Sequence, residues 1–190
     1  MIMESVLIAY NNAPNTELHT FFESCADDAK QFCFDYKHTY TPVCPPNLTE
    51  QNVVVQMDKH TICFVASHGD IDGVYNENFD AVISTRTTNY NLSGKTLYTI
   101  SCECAKNLMP VLKQIGLETF VGYDETFRVV ESEPMFRLTA MEGLKALLEG
   151  KDKKSAKKRM FEIFNEFIEK THDDTIKMLL LHNREHLCFE

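Results

Sequence analysis

The sequence reads Ile62-Cys63-Phe64-Val65-Ala66-Ser67-His68-Gly69-Asp70 at one point and Lys95-Thr96-Leu97-Tyr98-Thr99-Ile100-Ser101-Cys102-Glu103-Cys104 at another, and these two stretches decide the fold. Each begins as a short run rich in apolar and β-branched residues, which is typical of a strand buried in a parallel sheet. Each run ends at a reactive side chain, His68 or Cys102. The carboxyl ends of parallel strands meet at one edge of a sheet, so we expect the imidazole and the thiol to be neighbours.

The rest of the chain alternates between strand and helix patterns. Ser5–Tyr10 and Thr119–Tyr123 predict further buried strands, whereas residues 35–46 are less clear and leave a second strand open. Helices are predicted from a cap at Asn15, from Leu48 to about His60, from Cys104 to Gly116, from near Pro134 to Gly150, across Met160–Ile168 and from near Asp173. This alternation predicts an α/β fold with a doubly wound sheet of parallel strands.

The segment between the two stretches has a different character. Residues 69–78 are polar and rich in turn formers, and Phe79–Ile83 follows, so we expect a small hairpin outside the main sheet. Residues 85–91 have the composition of a loop. A substrate could rest in this part of the chain.

Length and composition bound the domain organisation. The chain has 190 residues, 44% of them hydrophobic. We expect a single domain over residues 1–190, with a core at about 4–130 and a C-terminal helical part at about 132–190. Seven cysteines without a dense framework favour reduced thiols, and we expect a cytoplasmic protein because we find no signal peptide in the sequence.

Charge excludes some classes of partner. The net charge of −9 argues against nonspecific binding to nucleic acid or to an anionic membrane, and no apolar run is long enough to span a bilayer. Residues 151–159 (KDKKSAKKR) carry six basic residues and one acidic residue. This run fits a solvated turn and the first turn of a helix, with a docking site for an acidic partner as the alternative.

A thiol and an imidazole side by side are the parts of a nucleophilic site. A cysteine attacks as its thiolate, and a neighbouring imidazole or a helix N-terminus assists its ionisation. The backbone N–H groups of Gly69 and Cys102 are candidates for an oxyanion hole. Glu103, Asp124 and Glu125 would form an acidic rim at the strand ends, which predicts a preference for substrates with a basic residue before the cleaved bond.

The two stretches resemble the caspase-like superfamily of cysteine peptidases, which includes caspases, metacaspases, gingipains, separases and bacterial CHAT-type proteases. Phe64–Gly69 is similar to the caspase strand that ends in Ser-His-Gly, and Thr99–Glu103 is similar to the CHAT-type strand that ends in a small residue, Cys and Glu. The segments Gly73–Tyr75 and Thr119–Tyr123 also come in the expected order. The resemblance covers about residues 4–125.

The resemblance implies a caspase-like three-layer fold, with a mainly parallel central sheet, helices on both faces and additional C-terminal helices. It implies a cysteine endopeptidase that works through a His–Cys dyad, with Cys102 as nucleophile, His68 as general base and acid, and Gly69 in the oxyanion hole. No cofactor is implied. The implied partners are a protein or peptide substrate and a regulatory protein, and the implied setting is bacterial antiviral defence or cell death.

Three departures from the family pattern limit what the resemblance implies. The caspase pentapeptide Gln-Ala-Cys-Arg-Gly is absent, and His68 and Cys102 are 34 residues apart, against roughly 50 in caspases. Ile100 stands where metacaspases and separases have an aspartate. Specificity for Asp and activation by chain cleavage are therefore not carried over from caspases.

Two other interpretations stay open from the sequence. His68, Cys102 and Cys104 could bind a metal ion, but a Cys-x-Cys pair with one distant His does not match the usual spacing of structural zinc sites, so we expect no metal. Alternatively, the chain is a non-catalytic or small-ligand-binding α/β module of flavodoxin-like topology, with Cys102 only buried. The other histidines and cysteines fit surface and structural positions, respectively.

Overall fold

The structure is a computed structural model, and it describes residues 4–87 and 91–190. Residues 88–90 of the predicted loop at 85–91, and the first three residues, lie outside the described part. The strands are β1 (Ser5–Tyr10), β2 (Thr39–Val43), β3 (Ile62–Ala66), β4 (His68–Asp70), β5 (Gly73–Tyr75), β6 (Ala81–Ser84), β7 (Thr96–Ile100), β8 (Thr119–Tyr123) and β9 (Leu187–Phe189). The helices are α1 (His19–Tyr36), α2 (Glu50–Met57), α3 (Leu108–Gln114), α4 (Pro134–Leu148), α5 (Lys153–Lys170) and α6 (Asp174–Glu185).

Six strands form the central sheet in the order β2-β1-β3-β7-β8-β9. The first five are parallel, and β9 is antiparallel to β8. The predicted α/β fold with a mainly parallel central sheet is therefore confirmed. The open question over residues 35–46 is answered by β2, which pairs with β1 along its whole length.

Both faces of the central sheet are covered, which explains why its strands read as continuous apolar runs. Side chains alternate along β1: Val6 and Ile8 pack on the side of α1, α4, α5 and α6, while Leu7 and Ala9 pack on the side of α2 and α3. The result is three layers, helices on sheet on helices, with a separate apolar core on each face.

A second, smaller sheet follows β3 directly. The strands β4, β5 and β6 pair antiparallel outside the central sheet. The predicted hairpin is thereby confirmed, with one strand more than a simple hairpin has. His68 is the first residue of β4, so the chain leaves the central sheet and enters the small sheet at the imidazole.

Two predicted helix starts are wrong. The helix α1 begins at His19, after Leu18 adopts a left-handed backbone with φ 60°, and Asn15 does not cap it. The helix α3 begins at Leu108 and not at Cys104, because the preceding segment bonds to another strand end. There the Glu103 and Ala105 N–H groups donate to the carbonyls of Glu125 and Tyr123, at 3.1 and 3.0 Å.

The C-terminal part contains the three predicted helices and one strand that the sequence did not indicate. The strand β9 joins the edge of the central sheet, where Gly122 pairs with Cys188. The basic run at residues 151–159 forms the α4–α5 turn and the start of α5, as expected, and Arg159 pairs with both Glu142 and Glu149. Across residues 4–87 and 91–190, none of the helices combines the length and the apolar character needed to cross a membrane.

Candidate active site

The strands that lead to His68 and Cys102 are direct neighbours in the central sheet. β3 and β7 pair in parallel, with Ala66 opposite Ile100. His68 and Cys102 each follow two residues after this matched pair, at the same edge of the sheet. The Ser67 N–H still donates to the Ile100 carbonyl at 3.3 Å, so the strands remain together to within one residue of the imidazole.

Gly69 lies directly against the segment that carries the thiol. A Cβ atom added to Gly69 would lie 2.8 Å from Ser101 Cβ and 2.9 Å from the Cys102 carbonyl oxygen. Real Cβ atoms do not approach other atoms so closely, so this contact requires glycine. The backbone beside the imidazole and the backbone of the candidate nucleophile therefore touch.

The turn between β4 and β5 is bound to the loop that follows Cys102. The Ile71 carbonyl accepts hydrogen bonds from the N–H groups of Asn107 and Leu108, both at 3.2 Å. The Asn107 side chain donates to the Asp72 carboxylate at 2.9 Å. The Asp70 side chain stabilises the turn, because its carboxylate accepts a hydrogen bond from the Asp72 N–H at 2.8 Å. These bonds fix the His68 hairpin relative to the Cys102 loop.

The His68 imidazole is held by groups that come from the start of α1. Its Nε2 lies 2.9 Å from the Glu17 carbonyl oxygen, and its ring meets the Phe22 ring edge-on, with centroids 5.3 Å apart. A carbonyl oxygen can only accept, so Nε2 carries the proton and Nδ1 is the basic nitrogen of the neutral ring. The Glu17 carbonyl thus orients the imidazole. Sequence reasoning missed this group, because a backbone carbonyl leaves no signature in side-chain patterns.

Of the two neighbouring thiols, only that of Cys102 is partly exposed. Cys104 is fully buried, its thiol donates to the Ser101 carbonyl, and burial raises its pKa to about 12. Burial also raises the pKa of Cys102; the Phe127 backbone N–H opposes the shift, and the Glu103 carboxylate adds to it. The Cys102 thiol is therefore protonated at neutral pH. The expected help from a helix N-terminus is wrong, since α3 begins six residues further on.

Side chains of α6 form hydrogen bonds with the loop that contains Phe127, whose N–H lies near Cys102. Asn183, which is fully buried, accepts from the Arg128 N–H at 2.9 Å and donates to the Arg128 carbonyl at 2.6 Å. His182 Nε2 also lies 3.0 Å from the Thr126 carbonyl. The C-terminal helices therefore hold one wall of the site around Cys102, although their sequence pattern indicates only packing.

The acidic side chains of the predicted rim lie near this edge, but they already have partners. Lys106 binds Glu103 and Glu125, both at 2.8 Å. These hydrogen bonds to Glu103 and Glu125 raise the pKa of Lys106, and Lys106 in turn lowers the pKa of Glu125. Asp124 accepts from His186 Nδ1 at 2.8 Å. Lys106 offsets one of the three negative charges, and the sequence did not indicate these partners because Lys106 and His186 lie outside the strand motifs.

The described residues do not arrange a metal centre with three or more protein ligands. Within residues 4–87 and 91–190, no group of three or more His, Cys, Asp or Glu side chains is placed to hold a metal ion. This part of the chain includes His68, Cys102 and Cys104. At this edge of the sheet an oriented imidazole and a half-buried thiol follow two neighbouring strands, and Gly69 lies in contact with the thiol segment.

Among known proteins, solved structures are similar to this chain, whereas family profiles and curated sequences are not. No protein-family profile matches it, and no curated protein sequence is significantly similar. Among solved structures, the complex of the pro- and mature domains of the gingipain RgpB from Porphyromonas gingivalis is similar, with a TM-score of 0.66 and 11% sequence identity. The match covers 93% of this chain and 45% of that chain, so our chain spans less than half the length of its structural neighbour.

The strand order alone does not distinguish a flavodoxin-like fold from a caspase-like fold, whereas the structural match does. The order β2-β1-β3-β7-β8 is also that of flavodoxin-like sheets. Here an antiparallel β9 extends the sheet, and the small sheet β4-β5-β6 follows the third strand. At 11% identity the likeness carries the fold and no activity. The chain has a caspase-like α/β fold.

Proposed function

We propose that this protein is a cysteine peptidase in which Cys102 attacks the peptide carbonyl and His68 transfers the protons. The Gly69 and Cys102 N–H groups are the proposed oxyanion-hole donors. The structural neighbour is a cysteine peptidase of the same fold, which is compatible with this activity. A protein substrate in bacterial defence or cell death stays a prediction from the family resemblance.

The observation that carries the proposal is the contact of Gly69 with the Cys102 backbone. Two residues beyond a matched pair of parallel strands, the chain presents an imidazole on one side and a thiol on the other, and the glycine lets both backbones approach within van der Waals contact. The contact supports the proposal because it brings together the backbones of Gly69 and Cys102, the two residues whose N–H groups are the proposed oxyanion donors.

The proposed chemistry follows from the protonation states at the site. In the resting protein the Cys102 thiol is protonated, because burial raises its pKa. During attack, the thiol proton moves to Nδ1 of His68, while the Glu17 carbonyl keeps the Nε2 proton in place and stabilises the imidazolium. The imidazolium then protonates the leaving amine. Water, deprotonated by the same imidazole, hydrolyses the thioester and restores the thiol.

Covalent labelling tests the proposal. A peptidyl acyloxymethyl ketone reacts with a cysteine through its activated thiolate, so we expect it to modify Cys102 and not the other six cysteines. His68→Ala should slow this labelling by about 100-fold or more, the usual contribution of a general base. Cys44→Ala removes a cysteine of the same intermediate exposure, which follows the outer strand β2, and should leave the rate unchanged.

Two results would reject the peptidase. One is labelling spread over several cysteines without a preference for Cys102. The other is a Cys102 labelling rate that His68→Ala leaves as it was, which would favour the non-catalytic α/β module. Cleavage of a peptide library by the wild type, and its loss in Cys102→Ala, complete the test.

A further inference from the structure

Two histidines lie one turn apart at the C-terminal end of α6. The His186 N–H donates to the His182 carbonyl at 3.1 Å, so both side chains project from the same face of the helix. Their ring centroids are 4.6 Å apart, and the rings are inclined to one another by 47°. Both residues are half-buried, so solvent reaches them. We call these two residues the α6 histidine pair.

One nitrogen of each ring is fixed by a group from outside the helix. Nδ1 of His186 lies 2.8 Å from the Asp124 carboxylate, and Nε2 of His182 lies 3.0 Å from the Thr126 carbonyl. A carboxylate and a carbonyl accept hydrogen bonds, so both of these nitrogens carry a proton in the neutral rings. The other two nitrogens, Nδ1 of His182 and Nε2 of His186, therefore keep their lone pairs. Neither has a hydrogen-bond partner among the described residues.

This arrangement is the one through which histidines bind transition metals. A metal-binding imidazole typically donates its other N–H to a carboxylate or a backbone carbonyl, which fixes the ring and makes the binding nitrogen more basic. Zn–N bonds are about 2.0–2.1 Å long, so one ion can bridge two nitrogens that are about 4 Å apart or closer. Nitrogens on rings whose centroids are 4.6 Å apart can reach this separation by rotation about the side-chain bonds.

The charges around the α6 histidine pair favour a cation. The carbonyl groups at the C-terminal end of a helix form the negative end of its dipole, and Asp124 adds a carboxylate. Arg184 of the same helix is directed to Asn165 and Glu185 instead. Imidazole suits zinc, copper and nickel, whereas magnesium and calcium prefer oxygen ligands. Two protein nitrogens leave the remaining coordination positions to water, so the ion is exchangeable.

We propose that the α6 histidine pair binds a divalent transition-metal ion such as Zn²⁺ or Ni²⁺, through Nδ1 of His182 and Nε2 of His186. The ion holds both rings in place, and the rings in turn hold Asp124 and Thr126 against α6. Metal binding thereby stabilises the loop at residues 124–128, which contains the Phe127 N–H beside Cys102. The inference goes beyond the proposed peptidase and does not depend on it, because the metal is bound by neither His68 nor Cys102.

NMR titration of the full chain with Ni²⁺ tests the site. Ni²⁺ is paramagnetic and broadens the resonances of nearby amides, so we expect saturable broadening centred on residues 124–126 and 182–186. Hydrogen exchange at the amides of residues 126–128 should slow when Ni²⁺ is bound, because the ion opposes opening of the loop. Broadening centred on residues 67–69 and 101–104, or unchanged exchange at saturating Ni²⁺, would overturn the inference.

Glutamine variants separate metal binding from the folded structure of the loop. His182→Gln and His186→Gln keep an amide that can donate to Thr126 or Asp124, but they remove the metal-binding nitrogen. Each should weaken Ni²⁺ binding by more than about tenfold, since losing a group that only orients a ligand already costs about 10–100-fold. Asp124→Asn, which changes such a group, should weaken binding by about tenfold.

Another histidine serves as the matched control. His172 is exposed and lies between α5 and α6, so His172→Gln should leave the affinity for Ni²⁺ unchanged. An affinity that survives both His182→Gln and His186→Gln, or one that His172→Gln lowers equally, would reject the site.

Discussion

Replacing Gly69 with alanine tests the contact on which the active-site proposal depends. The added methyl carbon would lie 2.8 Å from Ser101 Cβ and 2.9 Å from the Cys102 carbonyl oxygen, whereas ordinary contacts begin at 3.4 Å. The strand β4 must therefore move away from the thiol segment by roughly half an ångström. Overpacking of this kind costs about 1–3 kcal/mol in the free energy of unfolding. Since a displacement of about 1 Å can cost about 100-fold in rate, we expect labelling of Cys102 to slow by about tenfold.

Two measurements on the same variant check this prediction. Urea denaturation gives the free energy of unfolding, and the rate of modification by the peptidyl acyloxymethyl ketone gives the reactivity of Cys102. Gly94→Ala is the control, because its methyl group would meet nothing closer than 3.8 Å and only the left-handed backbone at φ 72° opposes it. We expect this control to lose about 1–2 kcal/mol and to label at the wild-type rate. Wild-type stability and reactivity in Gly69→Ala would refute the argument that the two backbones touch.

Three further predictions follow from the structure. Because burial raises the pKa of Cys102 above 9.0, the rate at which iodoacetamide alkylates Cys102 in the His68→Ala background should rise with pH and show its inflection above pH 9.0. Mass spectrometry measures this rate, and an inflection below about pH 8 would contradict the prediction. Asn183→Ala should cost about 1–3 kcal/mol and speed hydrogen exchange at the Arg128 amide, since it leaves two partly buried backbone groups unpaired; unchanged exchange would show that Asn183 does not hold the loop. Phe79→Asn should raise the melting temperature, with a gain of about 1 kcal/mol, because asparagine tolerates the left-handed backbone and little ring burial is lost; a lower melting temperature would mean that the ring stabilises the turn.

The fold was predicted mainly from the apolar patterns of the strands. Buried parallel strands are apolar on both faces, so Ser5–Tyr10, Ile62–Ala66 and Thr96–Ile100 could be recognised from composition alone. The short edge strand Leu187–Phe189 could not, because three residues after a helix have no period to read. The start of α3 was also beyond sequence patterns, since its position depends on hydrogen bonds from the Cys102 loop to the end of β8.

Site prediction was limited by interactions that do not depend on side-chain type. His68 and Cys102 were predicted from their positions after apolar runs. The groups around them include the carbonyl of Glu17 and the N–H of Phe127, both backbone groups that any residue would supply. The ion pairs of Lys106 with Glu103 and Glu125 and the contact of His186 with Asp124 appear only when the chain is folded.

The antiparallel edge strand has a consequence for how the protein folds. Tyr123 of β8 pairs with Leu187 of β9, 64 positions later, and three helices lie between them. Closing so long a loop carries a large entropic cost, so β9 should join the sheet late, after α4, α5 and α6 have packed. Until then β8 presents an open edge that another molecule can pair with. Refolding yield should therefore fall as protein concentration rises.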